Sequence, residues 1–145
     1  MRLLLLLGLL VSLAPACADE LPTMRPGMWE FTRKAPQDPI NHPGQLSTLG
    51  KKECVKNMKE VFLKQQGTLA KSCKFSDTRK TGNSYTTTSA CDLPQAQAKF
   101  ASKNVTTVKG DNAYESKIDT EGTTGGRPVK WTEYLVAKWI GECAK

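Results

Sequence analysis

The stretch CKFSDTRKTGNSYTTTSAC, residues 73–91, shows most directly how this chain folds. A cysteine stands at each end and Gly82-Asn83 lies near the middle. Gly and Asn enter the tight turns of β-hairpins because they tolerate positive φ. The return arm, Tyr85-Thr86-Thr87-Thr88, is aromatic and β-branched, which favours a strand. The stretch therefore reads as a hairpin, Cys73–Lys80 and Ser84–Cys91, about a loop Thr81-Gly82-Asn83. That loop sets Cys73 opposite Cys91. Opposed residues in a non-hydrogen-bonded pair lie ~4.5 Å apart at Cα, within reach of a disulfide. A two-residue turn at Gly82-Asn83 would slip the register by one and separate them.

Downstream the pattern stays β. Phe100–Lys109 reads as a strand, Gly110-Asp111-Asn112 as a turn, and Ala113–Thr120 as the return strand. Gly122–Pro128 (GTTGGRP) reads as a flexible loop, and Val129–Cys143 as a long strand that Gly141 bends or ends. Upstream, a Pro26-Gly27 turn precedes Met28–Thr32, where Trp29 and Phe31 alternate with polar neighbours. Ala35–Gly44 carries three prolines and reads as a loop. Leu49–Val55 is a short strand. Asn57 with Glu60 three residues on has the spacing of a capping box, opening a helix near Asn57–Gln66. Met58, Val61, Phe62 and Gln65 share one face of that helix, and Gly67 stops it. The expected class is mainly β (α+β): an antiparallel curved sheet or partly open barrel of about six or seven strands, one short helix and two disulfides.

The first 18 residues stand apart. Arg2, an apolar run Leu3–Leu13 and the small residues Ala14–Ala18 describe a signal peptide. The run is shorter than the roughly 20 residues that span a bilayer, so no transmembrane segment is expected after cleavage. Ala16-Cys17-Ala18 is an A-x-A site, with the cut after Ala18 leaving one β-rich domain, residues 19–145, in the periplasm. The alternative keeps Cys17 as a lipid-anchored first residue, although Ala14 and Pro15 match that pattern poorly. Either cut takes Cys17 out of the thiol count, leaving Cys54, Cys73, Cys91 and Cys143 for two disulfides in an oxidising compartment. With Cys73 facing Cys91, the other pair is Cys54–Cys143. Three connectivities remain open to four cysteines on sequence alone. No two of them have the C-x₂₋₄-C spacing of a zinc site.

The formal charge is +7, and Arg2 is the one charge in the leader. The lysines are scattered, as on a solvated surface. Their functional reading is association with anionic envelope polymers. No basic motif is interleaved with aromatics, so nucleic acid is not an expected partner. His42, the sole histidine, lies in a proline loop, and no G-x-S-x-G occurs. The GTTGGRP segment lacks the Lys-Ser/Thr of a phosphate loop. Glu30, Asp77, Asp111, Glu115, Asp119 and Glu133 are the candidates for a hydrolytic carboxylate pair, the weakest reading. No metal, cofactor or catalytic residue is expected. The aromatics on expected strands read first as core. A second reading is an apolar ligand face of Trp29, Phe31, Trp131, Tyr134 and Trp139, taking an apolar small molecule or an envelope component.

The same residues carry a resemblance. Met24-Arg25-Pro26-Gly27-Met28-Trp29-Glu30, Glu53-Cys54-Val55, Cys73-Lys74-Phe75-Ser76-Asp77 with Gly82-Asn83 and Cys91, Gly110–Glu115, and Lys138–Cys143 follow one another in order. This series resembles a bacterial family of exported four-cysteine proteins, domain of unknown function 3617. The Gly110–Glu115 segment has one residue more than the family's G-D-x-(F/Y)-E. The resemblance spans essentially all of the chain after the leader. It implies a mostly β envelope protein and assigns no catalytic residue.

Overall fold

The computed structural model describes residues 21–57, 59–62 and 71–144. Eight antiparallel strands form one open sheet: β1 (Gly27–Pro36), β2 (Leu46–Val55), β3 (Cys73–Phe75), β4 (Arg79–Thr81), β5 (Ser84–Leu93), β6 (Ala98–Val108), β7 (Ala113–Thr124) and β8 (Arg127–Gly141). Their order is β2-β1-β8-β7-β6-β5-β3, with β4 also on β5. The count exceeds the expected six or seven because the first arm of the 73–91 hairpin divides into β3 and β4.

That division resolves the register. The turn is the two-residue one, Thr81 facing Ser84 across Gly82-Asn83, with Gly82 at φ +60°. Gly at the first of two turn positions suits a type II′ hairpin. Taken alone, this turn would misalign the cysteines. Yet Cys73 faces Cys91, and they are bonded. Ser76-Asp77-Thr78 occupies the space opposite only Thr87-Thr88, so one extra residue on the first arm restores the pairing. Ser76 holds this bulge: its backbone N–H donates to Thr88 O at 2.9 Å, and its hydroxyl accepts from the Thr88 N–H at 2.9 Å.

GTTGGRP is not a flexible loop. Gly122–Thr124 belong to β7 and Arg127 opens β8. Gly125 and Gly126, at φ +54° and +76°, make a two-residue turn with Thr124 facing Arg127. Two consecutive positive φ values define the type I′ turn, which two glycines adopt without steric cost. β1 also runs on through Pro36, into what composition marks as loop.

Residues 59–62 are helical. Asn57 Oδ1 accepts from the Lys59 N–H at 3.0 Å, and Asn57 Nδ2 lies 3.4 Å from Glu60 Oε1. Asn57 thus caps the helix as its spacing predicts. The expected continuation through 63–66 lies outside the described residues, as do Met58 and residues 1–18, the expected signal peptide, with Cys17.

One end of the inner face is the core: Met24, Trp29, Phe31, Val55, Tyr114 and Ala137 are buried together, with Val61, Phe62, Leu135 and Trp139 packed against them. Ala137 stands in register between Phe31 and Tyr114, a small residue beside two large ones. Trp29 meets Tyr114 at 6.1 Å between ring centroids, and Phe62 meets it at 5.9 Å. The opening motif locks this end. Trp29 Nε1 donates to Arg25 O and Trp139 Nε1 to Pro26 O, both at 3.0 Å. The Arg25 guanidinium lies over the Trp139 ring, 4.7 Å from its centroid.

Burial pushes the Tyr114 phenol up to about 12 from 10.0. The folded state therefore holds a proton that the unfolded chain releases above pH 10. Stability is expected to be unaffected below that pH and to fall by roughly 2 kcal/mol by pH 12. Tyrosinate absorbance at 295 nm should show a matching late step. A protein whose tyrosines have all ionised by pH 10.5 while still folded would contradict this.

Candidate functional site

Strand alternation carries the inner face onward from the core. On β6 the inward residues are Val108, Thr106, Asn104, Ser102, Phe100 and Ala98. The register places Tyr114, Ser116, Ile118, Thr120, Gly122 and Thr124 of β7 beside them. Inward residues of β5 are Tyr85, Thr87, Ser89 and Cys91. On β5 and β6 the middle of the face is polar, and on β7 Ser116 and Thr120 continue it around Ile118, so a band of hydroxyls and one amide crosses the face with one apolar residue in it.

A cavity of about 320 Å³ lies over this band. That is the lower end of the size range of ligand sites. Phe75, Phe100 and Trp131 line one end, and Phe62 and Leu21 also contribute. Phe100 and Trp131 meet edge to face, 5.3 Å between centroids, the favoured aromatic geometry. Across the band, Thr106 Oγ1 and Ser116 Oγ pair at 2.7 Å, and Ser102 Oγ and Thr120 Oγ1 at 2.8 Å. Thr106 and Thr120 are buried at the base of the face.

One ion pair lines the wall. Arg33 donates to Glu133 Oε2 through Nε at 2.9 Å and through Nη2. Glu133 Oε1 accepts from Trp131 Nε1 at 2.9 Å. The carboxylate is thus clamped on both oxygens, and its side chain keeps 13% exposure.

The five expected aromatics divide three ways. Trp131 lines the cavity. Trp29 and Phe31 are core, 0% and 5% exposed. Trp139 is on the same side but packs on the Arg25-Pro26 segment. Tyr134 differs from Trp131 by an odd step along β8, so it faces the opposite side, 43% exposed. Phe75 and the hydroxyl band lay outside the sequence expectation. The signal was present: Phe100-x-Ser102-x-Asn104-x-Thr106 and Tyr85-x-Thr87-x-Ser89 are single-face patterns of period two.

The carboxylates do not converge. Of them, Glu133 alone lines the cavity among the described residues. Glu30, Glu115 and Asp119 pair with Lys52, Lys109 and Lys117 on the outer face, and Asp111 with Arg25. The Thr132 hydroxyl, then Lys117, holds the Asp119 carboxyl below its usual range. His42 sits in the exposed 37–45 loop. No group of three or more metal-ligating side chains occurs among the described residues.

Two disulfides and the order of these strands and motifs are thus in place. The family described as "Protein of unknown function (DUF3617)" matches residues 24–143. The chain belongs to this family. No curated protein and no solved structure matches it. In this DUF3617 member the Arg-Pro-Gly-Met-Trp segment is a clasp at the core end of the sheet. Gly27 is required there: at φ +140°, a Cβ would stand 2.2 Å from Trp139 Nε1 and 2.5 Å from Gly141 O. The Cys54–Cys143 bond, at the start of β1, joins edge strand β2 to the segment after β8. Most motif residues of this DUF3617 chain therefore build the frame, and Phe75 and Cys91 among them also line the cavity. No described helix is long and apolar enough to cross a membrane, and paired disulfides fit an oxidising, extracytoplasmic location.

Proposed function

We propose that the protein is a non-enzymatic binding module of the cell envelope that takes a small amphipathic molecule into the inner-face cavity. The observation that carries this is the Phe100–Trp131 pair set beside a hydroxyl band in one open-mouthed cavity. Aromatic surface supplies the affinity, and a few placed polar groups set orientation. The disulfides and the leader-like residues 1–18 support the periplasm as its compartment. The alternative of binding anionic polymers through lysines has less support. Among the described residues Lys51, Lys52, Lys99, Lys109, Lys117 and Lys130 each sit within ion-pair distance of a carboxylate.

The test is fluorescence titration with N-phenyl-1-naphthylamine, an uncharged apolar probe. Saturable one-site binding in the micromolar range is expected. Trp131→Ala should weaken it about tenfold. Ser102→Phe, which fills the middle of the cavity, should abolish it with the circular dichroism spectrum retained. Non-saturable enhancement that is indifferent to both substitutions would remove the reading.

A further inference from the structure

We infer that the cavity selects an uncharged amphiphile, one that joins an apolar chain to a hydroxyl-bearing part, and that the Arg33–Glu133 pair enforces this selection. The inference rests on the cavity being a binding site. The chain as a whole is strongly cationic, with a formal charge of +7, so an anionic ligand would be the simple expectation. The wall contradicts it. Among the described residues its only charges are Arg33 and Glu133, and they cancel each other.

The two charges are held together, with the Glu133 side chain 13% exposed and that of Arg33 54%. Glu133 holds the guanidinium through two N–H groups, and its other oxygen is held by the Trp131 indole. An anionic headgroup would meet an arginine whose charge Glu133 already balances, with that carboxylate beside it. A cationic headgroup would meet a carboxylate whose oxygens already accept from Arg33 and Trp131. Either ion would also lose water on entry without a free counter-charge, a cost that a neutral group avoids.

The hydroxyl band has the complementary preference. Between Ser102 and Thr120 one hydrogen bridges the two oxygens, leaving a second O–H and unused lone pairs. The Thr106–Ser116 pair is similar, with Thr106 Oγ1 also 3.5 Å from Asn104 Oδ1. Such a surface both donates and accepts. A carboxylate only accepts and an ammonium only donates, whereas an alcohol does both. The aromatic pair at one end and Phe62 toward the other place apolar surface on either side of the polar band.

The test uses the intact protein and displacement of N-phenyl-1-naphthylamine by three ligands that share a twelve-carbon chain: 1-monolauroylglycerol, laurate and dodecylammonium, each below its aggregation limit. The neutral ligand should displace the probe at least tenfold more tightly than either ion. Its affinity should not change between 50 and 500 mM NaCl. Glu133→Gln frees Arg33, so the laurate-to-monolauroylglycerol affinity ratio should rise about tenfold. Arg33→Gln should raise the dodecylammonium ratio instead, which guards against misfolding of one variant. Preference for laurate in the wild type, ratios that neither variant moves, or failure of all three ligands to displace a bound probe would overturn the inference. If the probe itself never binds saturably, the cavity reading fails, a separate result.

Discussion

Replacing Cys54 and Cys143 together by serine is expected to lower the unfolding free energy by about 4 to 5 kcal/mol. The bond closes a separation of 89 residues with Cα atoms 5.5 Å apart. In the chain-entropy picture a cross-link stabilises by restricting the unfolded chain, more so for a longer loop. Replacing Cys73 and Cys91, 18 residues apart, should cost about 1.4 kcal/mol less on the same grounds. A domain of ordinary stability, ~5–15 kcal/mol, would lose a large share of it in the first variant. Urea denaturation of both double variants measures the difference. A greater loss from the short bridge would show that β3, held by only three residue pairs, depends on its cysteine for more than loop closure.

Gly122→Ala should cost about 3 kcal/mol or more and lower Tm by roughly 10 °C. Gly122 faces Phe100 on β6 and Val129 on β8. A Cβ there would stand 1.9 Å from Lys99 O and 2.9 Å from the Phe100 Cα. These are backbone atoms, so no rotamer change relieves the contact. β6 and β7 would have to part under the segment that carries Phe100 against Trp131. Probe binding should weaken along with stability. Gly44→Ala, where an added Cβ meets nothing within 4 Å, is the control and should be neutral. A Gly122→Ala protein within 0.5 kcal/mol of wild type would mean that the two strands do not approach this closely.

The site was less legible than the fold. Period-two alternation tells which residues share a side, and by that rule alone Tyr134 and Trp131 fall on opposite sides of β8. Alternation does not tell which part of a side is covered. Trp29 and Trp131 both face inward, but the first is core and the second cavity wall. The difference comes from Met24, Val55, Val61 and Phe62, which are remote in sequence and cover only one end of the face. The hydroxyl band is hard to read along the chain for a related reason. Threonine and serine read as strand formers or surface residues until two strands bring their hydroxyls to 2.7 Å.

The mainly β class, most of the strand positions, the capped start of the helix and the family are all readable along the chain. These depend on local information: side-chain preference, alternation, turn chemistry and the order of short motifs. Three further features emerge from the packing of strands against one another. Ser76-Asp77-Thr78 absorbs one residue, so a two-residue turn and a Cys73–Cys91 bond coexist, because a bulge forms against a partner strand rather than within one. β1 lies between β2 and β8, which fixes what the second disulfide spans. The Gly122 approach, and with it the aromatic end of the cavity, arises where two strand backbones close on each other. Each is a relation between segments far apart in the chain, and a pattern read along the chain does not contain it.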